Sequence, residues 1–254
     1  MKLCAHRGFS AIAPENSLPA YGAAVALGAD EIEFDLWASR DGVIVSCHDA
    51  RLERLSDGEG WVWQQDFAAL RRLDFGSRYS PELAGLNIPT FEEILQLFAG
   101  KVTLAVHVKD PDNCHPLPDT VVGEIVRLIR AYSCTDSAYF ICGNNALLEQ
   151  LQTAAPEIPR CVIHGNDPRE DLMEKCCRFH AARASLYPPY FRYYDEDYVR
   201  RTIARAHELG MTCNIDCNDP ALAVQYAEWG ADTLVTDRLL VIRRALDEMG
   251  KGTS

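Results

Sequence analysis

Two acidic side chains alternate with apolar residues in a short run of the sequence. The run is Ile32-Glu33-Phe34-Asp35-Leu36. Residues two apart in a β-strand point to the same face, so Glu33 and Asp35 would project together while the apolar residues pack on the other face. Converging carboxylates repel each other unless a cation lies between them, and hard divalent cations bind in this way. The pair therefore predicts a divalent-metal site, and the alternative is a pair of solvent-facing acids on an edge strand.

Two histidines stand beside charged neighbours. His6-Arg7 ends the first apolar run, and His48-Asp49 follows another apolar run. A guanidinium stays charged and binds phosphate through two hydrogen bonds, and a histidine beside it suits acid/base chemistry. With two histidines at one site, one could take a proton while the other gives one. Each pair alone is typical of a surface or a loop, and it is the combination with the acidic pair that favours catalysis.

A third apolar run carries two basic side chains. In Val106-His107-Val108-Lys109, His107 and Lys109 share one side, and they would face the predicted metal and phosphate positions. Lysine binds phosphate as a point charge. The alternative is a lysine at a strand end that is simply solvated.

These side chains must be positioned by a repeating backbone pattern. Short runs rich in Val, Ile and Phe alternate with segments of helical period. The predicted strands are Leu3 to Ala5, Glu31 to Trp37, Val102 to Val108, Ala138 to Cys142, Cys161 to His164, Ala184 to Tyr187, Thr212 to Cys217 and Thr233 to Thr236. The predicted helices are Ser17 to Leu27, Thr90 to Phe98, Thr120 to Tyr132, Ala146 to Ala154, Arg169 to Phe179, Glu196 to Leu209, Pro220 to Trp229 and Leu239 to Met249. Eight strand and helix pairs in about 250 residues predict an α/β fold of the (β/α)8 TIM-barrel type, and a doubly wound open sheet is the alternative.

One stretch departs from this rhythm. After the turn signal Asp41-Gly42, an extra strand is predicted from Val43 to His48, and an irregular segment continues to Pro89. We expect residues 43–89 to be an insertion over one barrel face, within a single domain that spans residues 1–254. Long insertions in barrels often cover the carboxyl-terminal mouth, where active sites lie.

The overall composition limits the class of protein. The chain has 254 residues, of which 48% are hydrophobic and 24% charged, and a formal net charge of −12. It can bury a sizeable core, and its charge argues against nonspecific binding of nucleic acid or anionic membranes. We find neither a signal peptide nor an apolar run long enough for a membrane span, so we expect a cytoplasmic protein with a small-molecule partner.

The ten cysteines form no disulfide framework, and neither Cys176-Cys177 nor Cys213-x3-Cys217 has zinc-site spacing.

The motifs together resemble the signature of the glycerophosphodiester phosphodiesterases. The matching segments in the first 50 residues are His6-Arg7-Gly8, Pro14-Glu15-Asn16-Ser17, Gly28-Ala29-Asp30, Ile32-Glu33-Phe34-Asp35, Asp41-Gly42-Val43 and Cys47-His48-Asp49. Further matches are Ile88-Pro89-Thr90-Phe91-Glu92-Glu93 and the segment from Gly230 to Arg238. The resemblance therefore covers nearly the whole chain.

The resemblance implies a TIM barrel that cleaves glycerophosphodiesters into sn-glycerol 3-phosphate and an alcohol with a divalent metal. It also implies that the 2-hydroxyl of the substrate attacks first, which gives a cyclic phosphate that water then opens. The implied roles are an acid/base pair at His6 and His48, phosphate binding by Arg7 and Lys109, Mg2+ or Ca2+ binding by Glu33 and Asp35, and a position next to the metal for Glu15.

The third barrel strand departs from the family pattern. The family usually has a glutamate two residues before the lysine as the third metal ligand, whereas this chain has His107. An imidazole lowers the negative charge of the site and softens it. We therefore hypothesise a preference that moves from Mg2+ or Ca2+ toward Mn2+, Co2+ or Zn2+.

A second departure lies near the seventh barrel strand. The family commonly has a Trp-Thr-Val-Asn run there that lines the glycerol pocket, and this chain has Asn214-Ile215-Asp216-Cys217-Asn218. Asp216 could approach the metal or hydrogen-bond a more hydroxylated substrate such as a sugar phosphodiester. It could equally be an aspartate whose partners are all within the fold.

Other functions remain open from the residues. One is a phosphodiesterase, or a lyase that stops at the cyclic phosphate, acting on a sugar-type phosphodiester. Another is a non-catalytic relative that binds a phosphate ligand, and a third is an unrelated barrel enzyme that uses Lys109 in a Schiff base. The remaining histidines have no motif around them and are assigned to the structure: His115, His164, His180 and His207.

Overall fold

The computed structural model describes residues 1–111, 116–165, 170–188 and 194–252. Nine strands form one sheet. They are β1 (Lys2–Ala5), β2 (Glu31–Ala38), β3 (Ile44–Ser46), β4 (Thr103–Val108), β5 (Ala138–Cys142), β6 (Arg160–Val162), β7 (Arg183–Leu186), β8 (Thr212–Asp216) and β9 (Thr233–Thr236). Every strand except β3 is parallel to its neighbours, and β1 pairs with both β2 and β9. This double pairing closes eight strands into a barrel, so the TIM-barrel prediction is confirmed and the open sheet is excluded.

Helices connect the barrel strands. They are α1 (Leu18–Ala26), α2 (Phe67–Leu70), α3 (Phe91–Phe98), α4 (Asp119–Ala131), α5 (Asn145–Ala154), α6 (Leu172–Arg178), α7 (Glu196–Glu208), α8 (Pro220–Glu228) and α9 (Leu239–Gly252). Among the described residues, no helix combines the length and the apolar character that crossing a bilayer requires.

Most boundaries differ from the predicted ones by one to three residues, for identifiable reasons. Ser17 and Thr90 are N-caps rather than helical residues, because their hydroxyls accept hydrogen bonds from the first turn. The predicted extra strand is shortened to β3, since its antiparallel register with β2 ends where Leu36 faces Ser46. The prediction that the β6 strand reaches His164 is wrong because β6 ends at Val162. Arg169, where a predicted helix begins, lies outside the described residues.

The alternation predicted for β2 is present. Phe34 points away from the barrel axis and packs between Tyr21 and Phe91, whose ring centroids each lie 5.8 Å from that of Phe34. Ile32 and Leu36 are buried on the same face. Burying a side chain of this size stabilises the fold by about 1.5–3 kcal/mol. The outward face of β2 is thereby fixed against the helices, and its acidic face must point into the barrel.

The segment from residue 47 to residue 89 packs around a small apolar cluster of its own. Leu52, Val62, Leu70 and Ile88 are buried there, next to Trp37 of β2. Because this cluster is built on the end of β2, the segment lies against the barrel at the end where β2 carries Asp35.

Most of the cysteines lie in the interior of the protein. Nine cysteines are described; all are unpaired and eight are buried, with Cys177 the exposed one. Cys114 and His115 lie outside the described residues.

Candidate active site

Seven of the nine predicted site residues line one cavity at the carboxyl ends of the barrel strands. The cavity has a volume of about 200 Å³ and is lined by His6, Arg7, Asp35, His48, His107, Lys109 and Asp216, together with Tyr187. The other two predicted residues, Glu33 and Glu15, contact Arg7 beside the cavity. The structure therefore brings all nine predicted residues to one place.

Glu33, Asp35 and His107 form a cluster that could hold a metal ion. One ligand atom from each lies within 4.8 Å of the others. Asp35 and His107 are register partners on β2 and β4, and the Nδ1 atom of His107 lies 3.2 Å from Asp35 Oδ1 and 3.7 Å from Glu33 Oε1. Both carboxylates are buried. Two buried carboxylates and one imidazole fit a divalent cation, since each offers a lone pair to the same point.

Asp35 is held in the ionised state by its surroundings. Lys109 Nζ lies 2.9 Å from Asp35 Oδ1, and the amide of Asn16 donates to Oδ2 at 2.9 Å. Burial alone would raise the pKa of Asp35, but Lys109 and His107 outweigh it and hold the pKa well below its usual range. The Asp35 carboxylate is therefore ionised at neutral pH and can act as a ligand.

Arg7 turns its guanidinium toward the cavity because of a sharp backbone turn. Its φ of 57° and that of Gly8, 80°, lie in the left-handed region. A Cβ at Gly8 would come within 2.7 Å of the backbone of Ala20, so glycine is required there. The Arg7 amide donates to Glu33 Oε2 at 2.9 Å, and Nη1 donates to Glu15 Oε1 at 2.9 Å. Among the described residues Nε has no hydrogen-bond partner, which leaves a buried donor suited to an anion.

His6 is paired with a carboxylate from the last barrel strand. Its Nδ1 atom lies 2.8 Å from Oδ1 of Asp237. Burial opposes the charged imidazole, yet the hydrogen bond with Asp237 and the charge of Glu33 outweigh burial and raise the pKa of His6 to about 9. His6 is therefore protonated at neutral pH.

His48 has a similar partner but the opposite shift. Its Nδ1 atom lies 2.7 Å from Oδ1 of Asp49. Burial nevertheless lowers the pKa of His48, and the positive charges of Lys109 and Arg7 add to this effect. His48 is therefore neutral at neutral pH, and the imidazoles of His6 and His48 differ in charge.

Asp216 lies on the cavity wall as an inward residue of β8. Burial raises its pKa to about 6, and the charge of Asp237 adds to this effect. It is outside the Glu33, Asp35 and His107 cluster. Its side chain lines the same cavity as His6 and Arg7.

A larger groove continues from the cavity. It has a volume of about 590 Å³, shares His48, His107, Lys109 and Tyr187 with the cavity, and extends to Trp37, Ile163 and His164. His164, which has no motif around it in the sequence and was expected to be structural, lies on this groove wall. The groove therefore extends the cavity toward the ends of β5 and β6.

Several residues of the site were missed by the sequence analysis. Asp237, Asn16, Asp49 and Arg54 each contact a predicted site residue. Asp237 could have been found, because it directly follows β9 at the same barrel end as His6 follows β1. Asn16 and Asp49 stood inside motifs already noted, but no spacing in the sequence indicates Arg54.

Comparisons with known proteins identify the family and relatives of this chain. Residues 6–241 match the glycerophosphoryl diester phosphodiesterase family. The Bacillus subtilis protein YhdW is 33% identical over 163 residues, which are 64% of this chain and 65% of YhdW. A glycerophosphodiester phosphodiesterase of Caldanaerobacter subterraneus is 30% identical over 61% of this chain and 63% of its own length. The aligned part thus spans less than two thirds of these curated relatives.

A solved structure is similar over a greater length. It is that of an Oleispira antarctica phosphodiesterase in complex with the product sn-glycerol-3-phosphate. It is 25% identical, its TM-score is 0.86, and the match covers 97% of each chain. The barrel and its connections are therefore shared over nearly the whole chain.

Proposed function

The chain belongs to the glycerophosphoryl diester phosphodiesterase family, and on that premise we propose that it hydrolyses glycerophosphodiesters to sn-glycerol 3-phosphate and an alcohol. One observation carries the proposal. A single cavity holds a protonated His6 and a neutral His48, the cationic side chains of Arg7 and Lys109, and residues of a cluster that could hold a metal ion. The Oleispira relative, which binds sn-glycerol-3-phosphate, supports the same product.

The two histidines divide the proton transfers between them. His48, which is neutral, accepts the proton of the glycerol 2-hydroxyl while that oxygen attacks phosphorus. The bond between phosphorus and the alcohol oxygen breaks, and protonated His6 gives its proton to the leaving oxygen. The products of this step are the alcohol and a cyclic phosphate.

The second step reverses the roles. His6, now neutral, takes a proton from water as the water oxygen attacks phosphorus, and His48 returns its proton to the 2-oxygen as the ring opens. Each histidine ends in the protonation state in which it began. Both residues are therefore needed in both steps.

The remaining residues bind charge. Arg7 Nε and Lys109 Nζ face the phosphate, and Glu15 holds the Arg7 guanidinium in place. A divalent cation bound by Glu33, Asp35 and His107 would neutralise negative charge on the phosphodiester oxygens. We propose Mg2+ or Ca2+ by the family pattern, with a preference shifted toward Mn2+, Co2+ or Zn2+ because His107 replaces a carboxylate.

Asp216 favours a second candidate substrate for the same reaction. A buried carboxylate that faces the substrate space accepts hydrogen bonds from hydroxyls, and a site built for a hydroxyl discriminates against substrates without it. A phosphodiester with a more hydroxylated, sugar-like part is therefore the alternative substrate. Release of the cyclic phosphate as the final product would make the enzyme a lyase.

The domain assignment is part of the proposal. Residues 1–254 are taken as one phosphodiesterase domain with an insertion at about 43–89, because that insertion packs on Trp37 of β2 and supplies His48. The cytoplasmic location stays a prediction from the sequence.

The test is release of sn-glycerol 3-phosphate from the choline, ethanolamine, glycerol and inositol diesters. The protein is first treated with a chelator and then reloaded separately with Mg2+, Ca2+, Mn2+ or Zn2+. We expect release with at least one pair of metal and substrate, and 31P NMR shows whether a cyclic phosphate accumulates. His207→Asn is the control variant and should release product as wild type does. His207 lies outside the cavity, where it contacts Asp232 on the outside of the barrel at 2.8 Å.

Failure of the assay is informative because metal content is measured separately. No release with metal bound would contradict the glycerophosphodiester substrate and favour the sugar-type alternative. No release and no bound metal would favour a non-catalytic binding protein.

A further inference from the structure

Two of the cavity histidines, His6 and His48, each pair with an aspartate outside the proposed metal cluster, but these two aspartates have different partners. Asp237, beside His6, accepts hydrogen bonds from the neutral Ser10 hydroxyl at 3.0 Å and the neutral Asn218 amide at 2.6 Å. Asp49, beside His48, is paired with the guanidinium of Arg54, whose Nη2 donates to Oδ1 at 2.9 Å. Asp237 therefore keeps its full negative charge beside His6. The negative charge of Asp49 beside His48 is partly neutralised by Arg54.

Arg54 also reaches the phosphate-binding side of the cavity. Its Nη1 and Nη2 atoms donate to the two carboxylate oxygens of Glu15 at 3.0 and 2.8 Å. Glu15 in turn accepts from Arg7. A chain of charged contacts therefore runs from His48 through Asp49, Arg54 and Glu15 to Arg7, and it joins the insertion to the loop after β1.

We propose that Arg54 is a positioning residue that acts through Asp49 and Glu15, so that His48 works as the base and Arg7 is held against the phosphate. This role rests on the proposed function. Asp49 fixes the ring of His48 through Nδ1, and Arg54 cancels the negative charge that would otherwise keep a proton on that ring. At His6, among the residues that the structure describes, no cation pairs with Asp237 in the same way, and that ring holds its proton.

Other charged groups face His48 and act in the same experiment. They are Asp35 on β2, Lys109 on β4 and Arg7 after β1, with His107, Tyr187 and Asp216 across the cavity. Of these groups only Arg7 is linked to Arg54, through the shared carboxylate of Glu15. A change in the titration of His48 in such a variant is therefore attributed to Arg54 and the two carboxylates it contacts.

The test is Arg54→Gln in the full chain loaded with Mg2+, with Arg51→Gln as the matched control. Arg51 lies three residues earlier on the same segment, is exposed and pairs with Glu53, so the control removes the same charge away from the cavity. Titration of the His48 ring by NMR should give a higher midpoint for Arg54→Gln than for wild type, and an unchanged midpoint for Arg51→Gln. The value of kcat/KM at pH 6 should fall about tenfold in Arg54→Gln, and the deficit should shrink as pH rises.

Arg54→Lys separates charge from geometry. Lysine keeps the positive charge but cannot hold two carboxylates through a planar fork, so the His48 midpoint should stay near that of wild type while KM rises. An unchanged or lower His48 midpoint in Arg54→Gln would overturn the proposal. The ring titration needs no substrate, so it tests Arg54 even if wild-type protein releases no glycerol phosphate, an outcome that would contradict only the proposed function.

Discussion

Asp237 Oδ1 lies 2.8 Å from Nδ1 of His6, and this contact joins the last barrel strand to the end of the first. The separation of the two residues along the chain is 231 positions. The contact exists only because β9 pairs with β1 and closes the barrel. Barrel closure thus sets the charge state of the proposed acid.

Asp237→Asn should weaken the acid. Without the carboxylate the pKa of His6 falls from about 9, so the alkaline limb of the kcat/KM profile should move to lower pH. At pH 8.5 we expect a loss of about tenfold, and a smaller loss at pH 6.5. Asp232→Asn is the control, because it removes the carboxylate beside His207 instead. An alkaline limb that stays in place would contradict the assignment of His6 as the acid.

His48→Ala should remove the base. General acid/base catalysis typically contributes about 10²- to 10⁴-fold, so kcat should fall within that range while KM changes little. The acidic limb of the profile should disappear with the imidazole. Thermal unfolding of the variant should remain near that of wild type, because His48 lies on the cavity wall rather than in the apolar core. Full activity of this variant would exclude the two-histidine mechanism.

The sequence was sufficient for the parts of the site that strand geometry determines. Glu33 and Asp35 alternate with buried residues, and the two-residue period of a strand placed both carboxylates inside the barrel, as predicted. His107 reached the same point because β4 is in register with β2. These are consequences of local periodicity and parallel pairing, which a sequence pattern records.

The partners of the two histidines could not be predicted in the same way. Asp237 contacts His6 across the closure of the barrel, and Arg54 comes from an irregular segment with no period to follow. Whether an aspartate is compensated by a cation depends on side-chain contacts between distant segments. The pattern therefore predicted two histidines at one site, but not which one holds a proton.

His107 should determine the choice of metal. Replacing it by glutamate adds a hard, charged oxygen ligand, so His107→Glu should bind Mg2+ or Ca2+ more tightly and lose preference for Mn2+ and Zn2+. His107→Gln is the matched control because it offers oxygen without charge. The measurement is the affinity for each metal by titration calorimetry, followed by activity. Equal activity of wild type with Mg2+ and Mn2+ across a titration would contradict the proposed shift.

Asp216 should reduce stability at neutral pH. Its folded-state pKa of about 6 lies above the ordinary value of 3.8, so its stabilising contribution is complete below pH 3.8 and is lost as pH rises through 6. A rise of about two pKa units corresponds to about 3 kcal/mol against the ionised form. In metal-free protein, Asp216→Asn should therefore unfold at higher denaturant concentration than wild type at pH 7.5, by up to that free energy.

The gain should be small at pH 4.5, where the folded protein holds Asp216 mostly protonated and asparagine resembles that neutral form. Urea unfolding of both proteins at the two pH values measures the difference. Activity should fall in the same variant if Asp216 contacts a substrate hydroxyl, since a buried carboxylate that costs stability is then retained for binding. An equal stability difference at both pH values would show that ionisation of Asp216 does not destabilise the folded protein. Its partners within the fold would then already compensate the negative charge.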